Sequence, residues 1–276
     1  MGENMKRTLI KWILCLMAIA LLFGCTKENK DIVDNEKKEL LIYCGITMVH
    51  PMRAIANIIE EKYNCKIIIL QGGSEDIYQS LKMSKKGDLY LPGSDSYRKK
   101  HLSEGMLSDY IFVGYNQIAL LVQKGNPKNI NADINCLADS KYAVSVGNAD
   151  SSSVGKQAKK VLTKAGIYEK VLLNAIKVSS DSRTMNNLLK EGSVDIIFNW
   201  KATAFFDENR GKIDTLSLDE SIAPKKKLFI NLTTCSKYKD IARAFMLYAG
   251  SEKGQQLFYE YGFLDNVGPA RNIEKE

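Results

Sequence analysis

Four stretches of this 276-residue chain place hydroxyl groups or a helix start directly after an apolar run. Thr47 follows Leu40–Cys44 by way of Gly45-Ile46, and Gly72-Gly73-Ser74-Glu75 follows Lys66–Leu70. Asn148 to Gly155, with three consecutive serines, follows Tyr142–Gly147, and Ser179-Ser180-Asp181-Ser182 follows Ala175–Val178. A helix beginning at such a turn leaves its first amides unpaired, with a partial positive charge behind them. Several of these turns brought together would cradle a small anion. Taken singly, each also reads as an ordinary capped connection, since Thr47, Ser74 and Asp181 are all competent cap residues. The same holds for Trp200, which ends the run Val194–Asn199: it is either a core aromatic or a cleft wall with an indole N–H to donate.

The remaining chemistry-bearing residues do not assemble into a catalyst. An enzyme needs a nucleophile with a base, or a metal, and the only histidines are His50 and His101, neither spaced with Cys, Asp or Ser as a triad or zinc site requires. The six cysteines (Cys15, Cys25, Cys44, Cys65, Cys136 and Cys235) include no C-x-x-C pair, and the last four read as small buried residues. The expectation is therefore no enzyme, no catalytic residue, no cofactor and no metal site. A fully deprotonated tetrahedral oxyanion needs only donors, which helix starts and hydroxyls supply in place of lost solvation. Monohydrogen phosphate also wants an acceptor; Glu75 and Asp181 keep it as a rival, although Glu75 is more simply a helix-start charge.

The elements that position these turns alternate in type. Apolar runs of strand length are followed by segments with helical spacing, such as Met52, Ile55, Ile58 and Ile59, then Ala158, Val161, Leu162 and Ala165, then Met185, Leu188 and Leu189. That alternation predicts α/β lobes with mostly parallel sheets, whose ligands lie beyond the carboxyl ends of the strands. Gln117–Gln123, ended by the turn Lys124-Gly125-Asn126-Pro127, is where the chain should cross between lobes, and Leu228–Thr234 is the expected return strand.

The N-terminus has Lys6, Arg7 and Lys11 ahead of an apolar run, Trp12–Phe23, too short to span a bilayer comfortably. Leu22-Phe23-Gly24-Cys25 is similar to the bacterial lipobox, which implies cleavage after residue 24, a lipid on Cys25 and an exported, membrane-anchored protein. Residues 25–39 are charged and poor in apolar side chains, as expected of a flexible tether. Removing the three Lys/Arg and one Glu of residues 1–24 lowers the net charge from +7 to +5. The lysines are scattered, without an aromatic ladder, so the charge reads as a solvated surface that attracts anions mildly and not as a nucleic-acid footprint.

From Leu40 to Phe263 the chain resembles type II periplasmic binding proteins, most closely the molybdate/tungstate receptors of ABC transporters. The resemblance is carried by Ile42-Tyr43-Cys44-Gly45, Gly72-Gly73-Ser74, Gly87-Asp88-Leu89-Tyr90-Leu91-Pro92-Gly93 and Lys124-Gly125-Asn126-Pro127. Phe198-Asn199-Trp200-Lys201-Ala202-Thr203-Ala204 and Gly254 to Phe263 add to it. It implies two hinged lobes, residues 40–116 with 233–276 and residues 117–232, each a mixed, mostly parallel sheet flanked by helices. Closure is expected near Gly114–Gln117 and Leu232–Thr234. It also implies a monomeric carrier that holds molybdate or tungstate, or alternatively sulfate or phosphate, and hands it to a membrane permease; a ligand sensor is the other use of the scaffold. The family's first-loop serine falls on Thr47, and its second on Ser74 beside Gly73. The third-helix amide falls on Val154, with the Ser153 hydroxyl next to it, and the fourth contact falls on Ser182. Trp200 stands where the family has an anion-binding tyrosine, which changes the reach of that donor.

Overall fold

The computed structural model describes residues 37–150 and 152–276, together with Gly2. Apart from Gly2, the expected signal, with Cys25 and all but the last three residues of the tether, lies outside the described residues. In chain order the strands are β1 (Lys38–Gly45), β2 (Cys65–Gly72), β3 (Leu89–Leu91), β4 (Leu107–Asn116), β5 (Ile118–Gln123), β6 (Val144–Gly147), β7 (Ala175–Ser179), β8 (Ile196–Trp200), β9 (Ile213–Leu216) and β10 (Lys226–Thr233). The helices are α1 (Val49–Tyr63), α2 (Ser74–Ser84), α3 (Asp95–His101), α4 (Ser153–Lys164), α5 (Tyr168–Asn174), α6 (Ser182–Lys190), α7 (Lys239–Gly250) and α8 (Glu252–Glu260).

Two five-stranded sheets result, ordered β2-β1-β3-β10-β4 and β7-β6-β8-β5-β9. In the first, β1 lies parallel to β2 and β3, and β10 runs antiparallel to β3 and β4. In the second, β6 lies parallel to β7 and β8, and β5 runs antiparallel to β8 and β9. The two sheets thus share one plan: three parallel strands, then an antiparallel strand delivered from the other lobe. This is the expected two-lobed α/β architecture.

Each lobe has its own core. Leu40 and Ile42 of β1, Met52 and Ile55 of α1, and Phe245 and Met246 of α7 are fully buried together in the first. Leu120 and Leu121 of β5, Leu162 of α4, and Ile196, Ile197 and Phe198 of β8 fill the second. Full burial of each such side chain stabilises the fold by about 1.5–3 kcal/mol. α1 turns its apolar stripe inward and stops at Asn64, whose left-handed backbone (φ 46°) lets its N–H bond the Glu60 carbonyl.

Three boundaries differ from the sequence expectation. β1 begins at Lys38, inside the expected tether, because Lys38 and Glu39 pair in register with Cys65 and Lys66. β10 pairs along Lys226–Thr233 with β4 and β3, so it belongs wholly to the first sheet. The return crossing therefore runs through residues 217–225 and not at Thr233, and the second hinge expected at Leu232–Thr234 lies within that sheet. Register across a sheet leaves no local trace in composition, which is why the division fell late. β9 and α5 were not anticipated: β9 spans four residues, and α5 buries only Val171.

Candidate ligand-binding cleft

A cavity of about 290 Å³ lies at the carboxyl ends of the parallel strands, lined by turns from both lobes. Gly45–Thr47 after β1, Gly72–Ser74 after β2 and Gly93–Tyr97 after β3 form one wall. Ser153, Lys156, Gln157 and Lys160 of α4, with Trp200 at the end of β8, form the other. Asn116 and Lys226, paired where β4 ends and β10 begins, close the base.

At the first turn, Ile46–Met48 forms one 3₁₀ turn ahead of α1, with no side chain capping either element. Thr47 is buried and its hydroxyl points to the Met48 sulfur at 2.9 Å, a weak acceptor. Of the two roles open to Thr47, capping is thus excluded.

At the second turn, the cap position belongs to Gly73, which has no side chain to satisfy the start of α2. The first amides of α2 therefore keep their capacity for an anion, and any Cβ on Gly72 or Gly73 would crowd Ile77 or Asp76. Ser74 is the first helical residue. Its hydroxyl accepts from the Gly93 amide at 2.9 Å, and its carbonyl accepts from the Tyr90 hydroxyl at 2.9 Å. Burial pushes the Tyr90 phenol up, so it stays a donor.

The Glu75 carboxylate is turned away from the cavity. Lys100 donates to it at 2.8 Å, Gln79 at 2.8 Å, and the His101 ring lies 3.1 Å from it. The Lys100 hydrogen bond, opposed by partial burial and helped by Gln79 and His101, holds its pKa down to about 2. A carboxylate so occupied is a helix-start charge and not an acceptor for phosphate.

The turn after β3 was missed as a site. Ser94 occupies the cap position of α3 without bonding its amides, and its hydroxyl meets that of Ser96 at 2.5 Å. The signal was present: Gly93-Ser94-Asp95 repeats Gly73-Ser74-Glu75 after a second apolar run.

In the second lobe Ser152, not Ser153, caps α4 by accepting from the Gly155 amide at 3.0 Å. Ser153 is thereby left exposed on the cavity wall, whereas the Val154 side chain is buried in the lobe core. Val154 could meet a ligand only through its amide, one of those α4 leaves without an intrahelical partner. Asp181 caps α6 as expected, accepting from the Thr184 amide at 2.8 Å. Ser182 does not reach the cavity: β7 is the edge strand, so its turn opens one strand outside that of β6. The Ser182 carbonyl instead accepts from Asn199. Trp200 is almost buried, ties its backbone to Asn199 and Thr203, and lines the cavity.

Of the residues read from sequence, Thr47, Gly73, Ser74, Ser153 and Trp200 thus meet in one cleft, Val154 lies behind its wall and Ser182 outside it. Asn116, Lys156, Lys160 and Lys226 are additions. The two histidines stand apart from it. His50 packs against the Phe206 and Tyr261 rings, and His101 sits between Glu75 and Glu104. Cys44, Cys65, Cys136 and Cys235 are all free thiols, the first three buried.

A sequence model of bacterial extracellular solute-binding proteins matches residues 40–264. The chain belongs to this family. Among its relatives, this solute-binding protein is 26% identical over 227 residues to a protein of Haemophilus influenzae provisionally named a binding protein, covering 82% of this chain and 91% of that one. It is 25% identical over 256 residues to YvgL of Bacillus subtilis, provisionally named an ABC transporter substrate-binding lipoprotein, covering 91% and 96%. Its fold superposes with a TM-score of 0.68 on the substrate-binding domain of a provisionally assigned molybdenum ABC transporter from Clostridium difficile. That match is 22% identical and covers 83% of this chain and all of the other. The periplasmic-binding-protein fold and a solute-binding role are thereby established.

Proposed function

We propose that this protein is the lipid-anchored binding component of an ABC importer, and that it captures a tetrahedral oxyanion between its lobes and delivers it to a membrane permease. Molybdate and tungstate are the first candidates. The observation that carries the reading is the meeting, in one cavity, of an uncapped α2, the hydroxyls of Thr47, Ser74 and Ser94, and Ser153 and Trp200 from the opposite lobe. Donors of this kind replace the hydration of a small dianion without a formal cation. The names of the Bacillus subtilis and Clostridium difficile proteins support the transporter role and, for the latter, molybdenum as cargo. Capture and release require no covalent step, so the protein acts as a carrier and not as an enzyme.

The test is a thermal-shift series with molybdate, tungstate, sulfate and phosphate. A ligand at a hundred times its dissociation constant adds about 2.7 kcal/mol of stability. At least one of the four is expected to raise the melting temperature of the native chain, and that shift should shrink in Thr47→Ala. No shift with any of them overturns the assignment of a free inorganic cargo.

A further inference from the structure

A charged cluster lies behind the first-lobe turns, outside the cavity. His101, at the end of α3, is 2% exposed, and both its ring nitrogens face carboxylates: Nε2 lies 3.1 Å from Glu75 and Nδ1 lies 2.8 Å from Glu104. Glu75 stands in the first turn of α2, next to Ser74, and Glu104 lies in the 3₁₀ turn Leu102–Glu104 that follows α3. Lys100 donates to Glu75 at 2.8 Å, and Lys82 in the last turn of α2 pairs with Glu104 at 2.7 Å. The end of α3 is thus fastened to both ends of α2. The Tyr78 ring stacks on His101 at 3.6 Å and meets the Tyr90 ring edge-on at 5.5 Å. Tyr90 in turn donates to the Ser74 carbonyl. A polar route and an aromatic one therefore join His101 to the same cavity-lining turn.

The charge on the ring follows from its neighbours. Lys82, and after it His101, holds the Glu104 carboxyl below the ordinary carboxylate range, as Lys100 above all does for Glu75. Both carboxylates are ionised near neutral pH and can only accept hydrogen bonds. A neutral imidazole has one N–H and one lone pair, so it would turn that lone pair on a carboxylate oxygen no more than 3.1 Å away. An imidazolium donates to both and stacks favourably on the Tyr78 face. Burial pushes the Tyr78 phenol up to about 12, so that neighbour stays neutral. Glu75, Tyr78 and Lys82 of α2, Lys100 of α3 and Glu104 are the charged or titratable groups around the ring.

We infer that His101 is a positioning residue for the anion site: its imidazolium braces the first turn of α2 against α3, and loss of the ring proton loosens the grip of that turn on an anion. The inference rests on the anion reading of the first-lobe turns. Once the proton leaves, the bared lone pair repels a carboxylate, and Glu75 carries Ser74 and the first amides of α2 with it. The brace is fully present at low pH and is lost as pH rises. By reciprocity, a bound anion keeps the proton on the ring to higher pH.

Calorimetric titration with molybdate and with tungstate, repeated from about pH 5.5 to 8.5 so as to span the ordinary imidazole range, tests this. Affinity of the native chain should fall about tenfold across that range, an ordinary size for coupling between two sites. Glu104→Gln, at an exposed position, should hold the low-pH affinity throughout, because its amide donates to Nδ1 and a neutral ring then still donates to Glu75. His101→Gln should bind weakly at every pH, whereas His50→Gln, which changes the only other histidine, should keep the native profile. Melting temperatures without ligand check that each variant folds; if His101→Gln does not, Glu104→Gln carries the test. Nitrogen NMR of the native ring should show two N–H groups at the low end of the range and one at the high end. A flat native profile, a fall that survives in Glu104→Gln, or a ring with a single N–H at the low end overturns the brace and leaves the anion site standing. Failure of both ions to bind at any pH overturns the anion reading, and the inference with it.

Discussion

The two walls of the cleft are built on different principles. In the first lobe, successive turns hold one another: the Ser74 hydroxyl takes the Gly93 amide and its carbonyl takes the Tyr90 hydroxyl. Donors fixed this way are in place before a guest arrives, and they select by geometry. In the second lobe, Ser153, Lys156 and Lys160 stand exposed on one helix face. Such a wall attracts charge over a distance and tolerates variation in what it meets. The same strand-to-helix plan therefore serves selection on one side and capture on the other.

The sharpest way to break this comparison is at the two glycines beside the helix starts. A Cβ on Gly155 would lie 2.1 Å from the Asn148 carbonyl oxygen and 2.6 Å from that of Gly147, both fixed backbone atoms. Gly155→Ala should cost about 3 kcal/mol, the upper end for overpacking, read as a lowered denaturant midpoint. In Gly73→Ala the 2.6 Å contact is with the Asp76 carboxylate, a movable group, and Gly73 has an ordinary φ of −62°. The loss there should stay within about 0.5 kcal/mol. Equal losses would mean that the two turns are equally rigid.

Next in size, Ser74→Ala leaves the Gly93 amide without its acceptor and should lower stability by about 1–3 kcal/mol besides weakening the ligand. Ser153→Ala should weaken the ligand with no measurable change in stability, because its hydroxyl stands on an exposed surface. Loss of stability in both variants would erase the contrast between the walls. Asp181→Ala removes a helix cap and should cost about 1 kcal/mol. It should leave ligand affinity unchanged, since its turn lies outside the cavity; a weakened ligand would bring Ser182 back into the site.

The smallest effect concerns pH. Glu75 is held at about 2 in the folded chain against 4.5 for a free carboxyl. A depressed carboxyl pKa stabilises the fold at pH above the unfolded value, and that contribution fades as pH falls through the folded one. Melting temperature should therefore decline between pH 4.5 and 2, and Glu75→Gln should flatten part of that decline. A parallel decline in both proteins would show that the Lys100 and His101 contacts do not tie down the first-lobe turn.

Much of the fold was legible because its signals are local. Continuous apolar runs such as Leu40–Cys44 mark strands covered on both faces, and glycine- or serine-rich turns mark where helices begin. The cleft was partly legible for the same reason: Thr47, Ser74, Ser153 and Trp200 each follow a strand end. The rest depends on long-range pairing. Which serine caps α4 is settled by which of three neighbours reaches the Gly155 amide, and Ser182 was misplaced because strand order within a sheet is not written in any one segment. Lys156 and Lys160 looked like a solvated helix face, and nothing near them in sequence shows that α4 borders a cavity. Asn116 was hidden similarly, its opposite number Lys226 being 110 residues away along the chain.

That last pair has a mechanical meaning. Asn116 opposite Lys226 is the final rung of the first-lobe ladder before both connecting segments leave for the second lobe. A guest gripping this rung loads the pivot itself and not the end of a swinging arm. A guest held there touches both connections at once, at the point where the chain passes between the lobes.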